Sequence, residues 1–186
     1  MAYMQNSTIS NAKLILGNCK FETAATSGGT YVNVGNGKVT AAGHNITMYD
    51  VQGQNGPDPL EGIADESFTI AFELYEFDGS VLSAIQCGAI SESNTSVLST
   101  IVGGGNTQLT QRAFKITNTT MTAAGNTAET IMTVFTATMD NGLQFSFKGD
   151  QEADPIAVIS GTIVAKNDGS KTAGQQLFEI TRTKTT

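Results

Sequence analysis

The chain has 186 residues, of which 39% are hydrophobic and only 15% charged, with a net charge of −7. A chain of this length favours one domain and buries a core without disulfide or metal staples. The negative balance argues against a surface built to grip nucleic acid, and the absence of Trp against an immunoglobulin-type sandwich with its Cys, Trp, Cys core.

The N-terminus, Met1-Ala2-Tyr3-Met4, has neither a basic region nor an apolar run, so it is not read as a signal peptide. Residues 1–11 are expected to form a flexible arm, followed by a strand at 13–16 and others at 30–34 and 45–50. Cys19 and Cys87 are the only cysteines, too few for a disulfide framework, and are expected to be buried reduced thiols. No segment has the apolar length of a membrane span, so no membrane partner and cytoplasmic folding are expected.

Residues 53–63 carry Pro57 and Pro59, which a central strand does not tolerate. The segment, with Gly53, Asn55, Asp58 and Glu61, reads as a long loop, and long loops in compact domains usually have a task. Residues 67–75 then give the clearest strand of the chain. Phe68, Ile70, Phe72 and Leu74 alternate with Thr69, Ala71, Glu73 and Tyr75, so one face is built for a core. After Asp78-Gly79-Ser80, residues 81–89 place Val81, Leu82, Ile85 and Ala89 at the spacing of one short helix, although so short an apolar run is equally open to a strand.

Strands are expected next at 96–102 and 113–121. Residues 130–139, then Asp140-Asn141-Gly142, then 143–148 read as a hairpin, because Asn-Gly tolerates the positive φ of a tight turn. Strands at 156–165 and 176–181 complete the chain. These elements predict a mostly β, single-domain antiparallel sandwich or barrel spanning 1–186, with one short helix and long loops.

Charge is unevenly spread. Between Lys38 and Arg112 there is no Lys or Arg, while that stretch holds nine acidic residues. The remainder carries eight acidic residues and all ten basic ones. A cluster of solvated carboxylates explains this, and so does head-to-tail assembly in which one face meets the opposite face of the next copy.

Local chemistry points away from an enzyme. His44 is the only histidine and has no nucleophile motif beside it. One histidine and two distant cysteines do not make a zinc site. Asp58, Glu61, Asp65 and Glu66 lack the spacing of a calcium loop. Gly103-Gly104-Gly105-Asn106 lacks the Lys-Ser/Thr of a phosphate cradle. Glu73 and Glu76 fall on opposite strand faces, which does not suit paired glycosidase carboxylates. No catalytic residue, metal or cofactor is expected.

The order of elements resembles the tail tube (major tail) proteins of long-tailed bacteriophages. The resemblance is carried by the early strand, the long loop, then Ser67-Phe68-Thr69-Ile70-Ala71-Phe72-Glu73-Leu74-Tyr75-Glu76-Phe77-Asp78-Gly79, the short apolar run Ser80-Val81-Leu82-Ser83-Ala84-Ile85, and a closing strand. It covers most of the chain as a pattern, without a diagnostic motif. It implies a virion protein that assembles with itself into stacked, commonly hexameric rings. It also implies tape-measure and terminator proteins as partners and double-stranded DNA as a passing, unbound cargo.

With the core face assigned to Phe68, Ile70, Phe72 and Leu74, the other face falls to Thr69, Ala71 and Glu73. Those residues are expected to line an acidic or neutral lumen, with Glu66 near one rim and the 53–63 loop reaching an adjacent subunit. Two other classes fit the β texture: a lectin-like or receptor-binding module, and a decoration or connector protein. The missing Trp and sparse aromatics disfavour a sugar platform.

Overall fold

The computed structural model describes residues 19–51, 60–77, 85, 90–94, 99–103, 109–121, 127–140, 142–146 and 158–183. Among them are ten strands: β1 (Cys19–Ala24), β2 (Val32–Val51), β3 (Leu60–Phe77), β4 (Ile90–Asn94) and β5 (Ser99–Gly103), then β6 (Arg112–Met121), β7 (Thr127–Met139), β8 (Gln144–Ser146), β9 (Val158–Ala165) and β10 (Phe178–Arg182). The architecture is mostly antiparallel β.

Six strands close into a barrel. β6 pairs with β1, β1 with β2, β2 with β3, and β3 with β9. β9 then returns to β7, the other neighbour of β6, from Ala137↔Ala165 to Met139↔Ile163. Closure satisfies edge groups that an open sheet would expose. β10 adds to β7, β8 adds to β9, and β4 and β5 form a separate two-stranded sheet.

The alternation of β3 decides what fills the barrel. Phe68, Ile70, Phe72 and Leu74 are 4%, 0%, 3% and 0% exposed, while the intervening side chains are not buried. Phe72 meets Phe21 of β1 with ring centroids 5.5 Å apart. Val34, Phe114, Ile163 and Ile85 complete that part of the core. Each such side chain contributes about 1.5–3 kcal/mol by leaving water. Thr23 is fully buried on the same barrel, and its hydroxyl donates to the Ala113 carbonyl at 3.0 Å, which offsets its desolvation.

Several expectations change. The strands expected at 30–34 and 45–50 fall on one continuous strand, β2, which begins at Val32. Leu60 to Ile63, expected in the long loop, are strand residues paired with β2, so Glu61 stands opposite Asp50 in a ladder. Gly53, Asn55, Pro57, Asp58 and Pro59 lie outside the described residues. So does the expected strand at 13–16, and so does the 81–89 helix apart from buried Ile85.

The expected hairpin at 140–142 is not what the strand pairing among the described residues shows. β8 does not return along β7; both lie on β9, with Met139 opposite Ile163 and Gln144 opposite Ser160. The Asp140 N–H donates to the Thr162 carbonyl at 2.9 Å, which carries the β7 ladder onward. Gly142 has φ of 71°, so the left-handed residue serves a strand interruption as readily as a turn.

Candidate assembly surface

β2 and β3 are far longer than the barrel needs. β1 covers β2 only from Val32 to Gly37, and β9 covers β3 only from Thr69 to Leu74. β2 continues past β1 from Lys38 onward, and past β9 the two strands run on together as a ribbon from His44↔Phe68 out to Val51↔Leu60. Among the described residues, no strand pairs with β2 over 38–51 or with β3 over 60–68 on their outer sides. At ~3.4 Å per residue, the open edge of β3 alone is about 30 Å long.

The ribbon is held in register by sequence-specific devices. A Cβ at Gly37 would run into the Glu73 carbonyl oxygen and would lie 2.8 Å from the Leu74 Cα, so only glycine admits this close approach. Bulges between Asn36 and Gly37, Val39 and Ala41, and Thr47 and Met48 add twist along β2 and β3.

Directly paired residues share a face. On the face away from the core lie Lys38 with Glu73, Ala41 with Ala71, Gly43 with Thr69, and Thr47 with Asp65. β9 extends that face with Ser160, Thr162 and Val164 beside Glu73, Ala71 and Thr69. Most of these side chains are small, so they make a low, even wall. Thr69, Ala71 and Glu73 are therefore brought together on it.

Glu66 is not on that wall. It has the parity of Phe68, pairs with Ile46, and lies on the opposite face from Glu73. Its carboxylate Oε1 lies 2.7 Å from His44 Nε2. An even-numbered residue in this unbroken part of β3 does not join the odd-numbered set, so Glu66 stands apart from Thr69, Ala71 and Glu73. The candidate calcium cluster is split in the same way, since Asp65 and Glu66 face oppositely.

Glu73 has an internal counterion. Lys38 Nζ lies 2.9 Å from Glu73 Oε2, and the Tyr75 hydroxyl donates to the same oxygen at 3.4 Å. The ammonium sits 5.6 Å from the Tyr75 ring centroid. Hydrogen bonding to Glu73, then to Tyr75, holds the Lys38 pKa above its ordinary value, so this cation stays charged. Sequence reasoning missed the pairing because register, not spacing, creates it.

The apolar content of the ribbon is unusual for a solvated hairpin. Ile46, Met48 and Ile63 are 48%, 54% and 55% exposed. Met48 and Ile63 are directly paired beyond the bulge that follows Thr47 and Asp65, and they form an apolar step toward the far end of the ribbon.

The barrel end carries a second charged group. Glu22 accepts from Lys20 Nζ at 2.8 Å and pairs with Lys115 Nζ at 3.0 Å. Burial pushes its pKa up, but the two lysines together outweigh that and hold it below the usual carboxylate range. Lys115 also lies over the Tyr31 ring, 4.6 Å from its centroid. Cys19 is buried and free, with the Asn118 side-chain amide 3.7 Å from its sulfur; Cys87 lies outside the described residues.

No family model matches the chain, and no curated protein is significantly similar to it. Among solved structures it is similar to a chain of the anti-feeding prophage cap, described as a tube-terminating cap, at 14% identity and TM-score 0.45, covering 88% of each chain. It is similar to a chain of the sheath-tube complex of an extracellular contractile injection system at 14% identity and TM-score 0.39, again over 88% of both. The Hcp protein is similar at 8% identity and TM-score 0.37, over 79% of this chain and 90% of that one.

Proposed function

We propose that this chain is a structural subunit that assembles with itself, ring upon ring, into the tail tube of a phage-like particle. The observation that carries the reading is the β2–β3 ribbon, whose outer edges pair with no other strand among the described residues. An isolated two-stranded hairpin is at best marginally stable in water, and a long open edge with apolar side chains invites pairing. When the β3 edge of one copy pairs with the β2 edge of the next, each ribbon gains two neighbours. The contact is heterologous, so a suitable rotation closes it into a ring.

In such a ring the ribbons join into one continuous barrel, and the even wall bearing Thr69, Ala71 and Glu73 lines the lumen. Six copies per ring, a place in the virion tail, contacts to tape-measure and terminator proteins, and double-stranded DNA as unbound cargo are the finer parts of this proposal. The Lys38–Glu73 pair makes the lumen neutral at that level, and Asp65 adds negative charge farther out. A neutral wall passes DNA without trapping it, whereas many lysine–phosphate contacts would hold it by counterion release. The role is structural, with no catalytic step assigned.

Negative-stain microscopy of the concentrated protein tests the reading. Rings or tubes are expected, and Met48→Lys with Ile63→Lys should abolish them while leaving a folded monomer. Wild-type protein that stays monodisperse and monomeric at high concentration would overturn the proposal.

A further inference from the structure

The β1–β2 turn and the β9–β10 connection meet over one end of the barrel. Asp168 joins them: its carboxylate accepts from the Ser170 N–H at 2.9 Å, the Ser170 hydroxyl at 2.6 Å and the Ser27 hydroxyl at 3.3 Å. Those bonds, the Ser170 side chain first, hold its carboxyl below the usual range. Between these segments and the start of β6 lies a cleft of about 390 Å³, lined by Thr26, Ser27, Arg112, Thr136, Asp168 and Ser170.

Arg112 is the cation of this cleft, and it is held in place. Its Nε donates to the Thr23 hydroxyl at 3.2 Å, while the Thr23 hydroxyl donates to the Ala113 carbonyl at 3.0 Å. Thr23 is fully buried, so the group that orients the guanidinium is itself fixed. One guanidinium N–H is spent on this anchor, and those on the Nη atoms remain. Arg112 forms no ion pair among the described residues. Asp168 shares the cleft but is taken up by Ser27 and Ser170, and Lys171 lies close enough to offset part of its charge.

Several other cations are already engaged. Lys20 and Lys115 share Glu22, Lys38 holds Glu73, and Lys171 lies 4.4 Å over the Phe135 ring. Arg112 is half-buried, and a partly desolvated guanidinium without a counterion carries a cost that an incoming carboxylate relieves.

We propose that this cleft is a carboxylate socket whose occupant is an acidic side chain of a second copy of this chain. The planar guanidinium fork matches the oxygens of a carboxylate, and the Thr26, Ser27 and Thr136 hydroxyls border the same space. The chain is rich in candidates: the stretch between Lys38 and Arg112 holds nine acidic residues and no Lys or Arg. Only Glu73 and Glu66 of these have a basic partner among the described residues, in Lys38 and His44. An acidic stretch on one copy and an oriented arginine on the next are complementary, which gives the contact a direction. Naming a second copy as the occupant rests on the self-assembly proposed above, whereas the socket itself is a property of the single subunit.

Two measurements on the full-length protein test the socket and its occupant separately. In dilute protein, sodium chloride is replaced by sodium acetate at constant ionic strength and NMR shifts are followed. Saturable shifts are expected at the Arg112 Nε–H and at the Ser27 and Ser170 amides, and not in Arg112→Gln. An acetate response no different from chloride overturns the socket. Light scattering then gives the critical concentration for assembly. Arg112→Gln should raise it roughly tenfold or more, the usual worth of a hydrogen bond to a charged group. Gln111→Glu places a carboxylate on the cleft wall and leaves the Arg112–Thr23 anchor intact, so it should raise it as well by occupying Arg112 from within. If both variants assemble like wild type while acetate still binds, the occupant is a free carboxylate, and the second copy is overturned with tube assembly left standing. If wild-type protein never assembles, tube formation falls and the second copy falls with it, and the acetate response alone decides the socket.

Discussion

Lys38 and Glu73 stand directly opposite each other on β2 and β3, with their charged ends 2.9 Å apart on the wall face of the sheet. Lys38 is the last cation before a stretch without Lys or Arg that runs to Arg112, and Glu73 is one of the nine acidic residues within it. The folded register thus neutralises a carboxylate that the linear sequence leaves alone. Asp65, on the same face, has no cationic partner among the described residues. The wall is therefore graded, neutral near the barrel and negative toward the ribbon's far end.

Removing Phe72 tests the barrel core. Its ring is 3% exposed, packs on Phe21, and borders the space shared by Val34, Leu74 and Ile163. Phe72→Ala should cost about 3–5 kcal/mol in urea unfolding, through lost burial and a residual cavity. A loss below about 1 kcal/mol would mean that the barrel collapses around the missing ring far better than cores usually do.

Two glycines should respond differently to a single methyl group. At Gly37 a new Cβ meets the backbone of Glu73 and Leu74, which cannot move without breaking the β2–β3 ladder. At Gly161 it meets the Met139 terminal methyl at 2.6 Å, with Leu143 and Phe72 side-chain ends at 3.2 Å. Met139 can swing aside. Gly161→Ala should cost about 1–3 kcal/mol, the usual range for mild overpacking. Gly37→Ala should cost clearly more or prevent folding, and a reversed order in equilibrium unfolding would contradict the close approach.

The parts of the fold legible in the sequence are those governed by local alternation. In β3 the change from Phe68, Ile70, Phe72 and Leu74 to the residues between them coincides with burial. β1 was equally readable, with Cys19, Phe21 and Thr23 inward and Lys20 and Glu22 outward, but its charges and brevity hid it. Closure of the barrel through Ala137↔Ala165 depends on residues far apart in the chain, and no local signal carries it. Asp140-Asn141-Gly142 misled because a left-handed glycine is compatible with either a hairpin or a strand interruption, and β7 and β8 both pair with β9. The candidate surface shows the same division. The shared face of Thr69, Ala71 and Glu73 follows from period 2, whereas the partners Lys38 and His44 follow from β2 register and its bulges.

Acid should weaken the protein partly through Glu22. Its folded pKa is depressed, since Lys20 and Lys115 together outweigh its desolvation. A depressed carboxylate contributes stability above its unfolded value, about 4.3, and loses it as pH falls through the folded value. Unfolding free energy should therefore drop as pH is lowered from about 5 toward 2. Glu22→Gln should be less stable than wild type at neutral pH, with a shallower acid slope. Parallel slopes for the two proteins would remove Glu22 from the acid response.

The charge of the wall can be titrated by mutation in tubes that still assemble, which separates the lumen assignment from assembly itself. Glu73→Gln leaves Lys38 without its counterion and adds one positive charge per subunit. Glu73→Lys places two cations side by side and adds two. Repetition around every ring multiplies these increments along the path of a passing duplex. Each new lysine–phosphate contact releases condensed counterions, so binding should strengthen most at low salt and weaken steeply as salt rises. Genome release should slow in the order wild type, Gln, Lys, and the delay should shrink at high salt. The exchange Lys38→Glu with Glu73→Lys restores a neutral pair on the same two paired positions and should restore release, which a purely structural defect at position 73 would not predict. Unchanged release from intact Glu73→Lys particles would place this face away from the lumen, leaving the ribbon edges as the assembly contact and the wall as an outer surface.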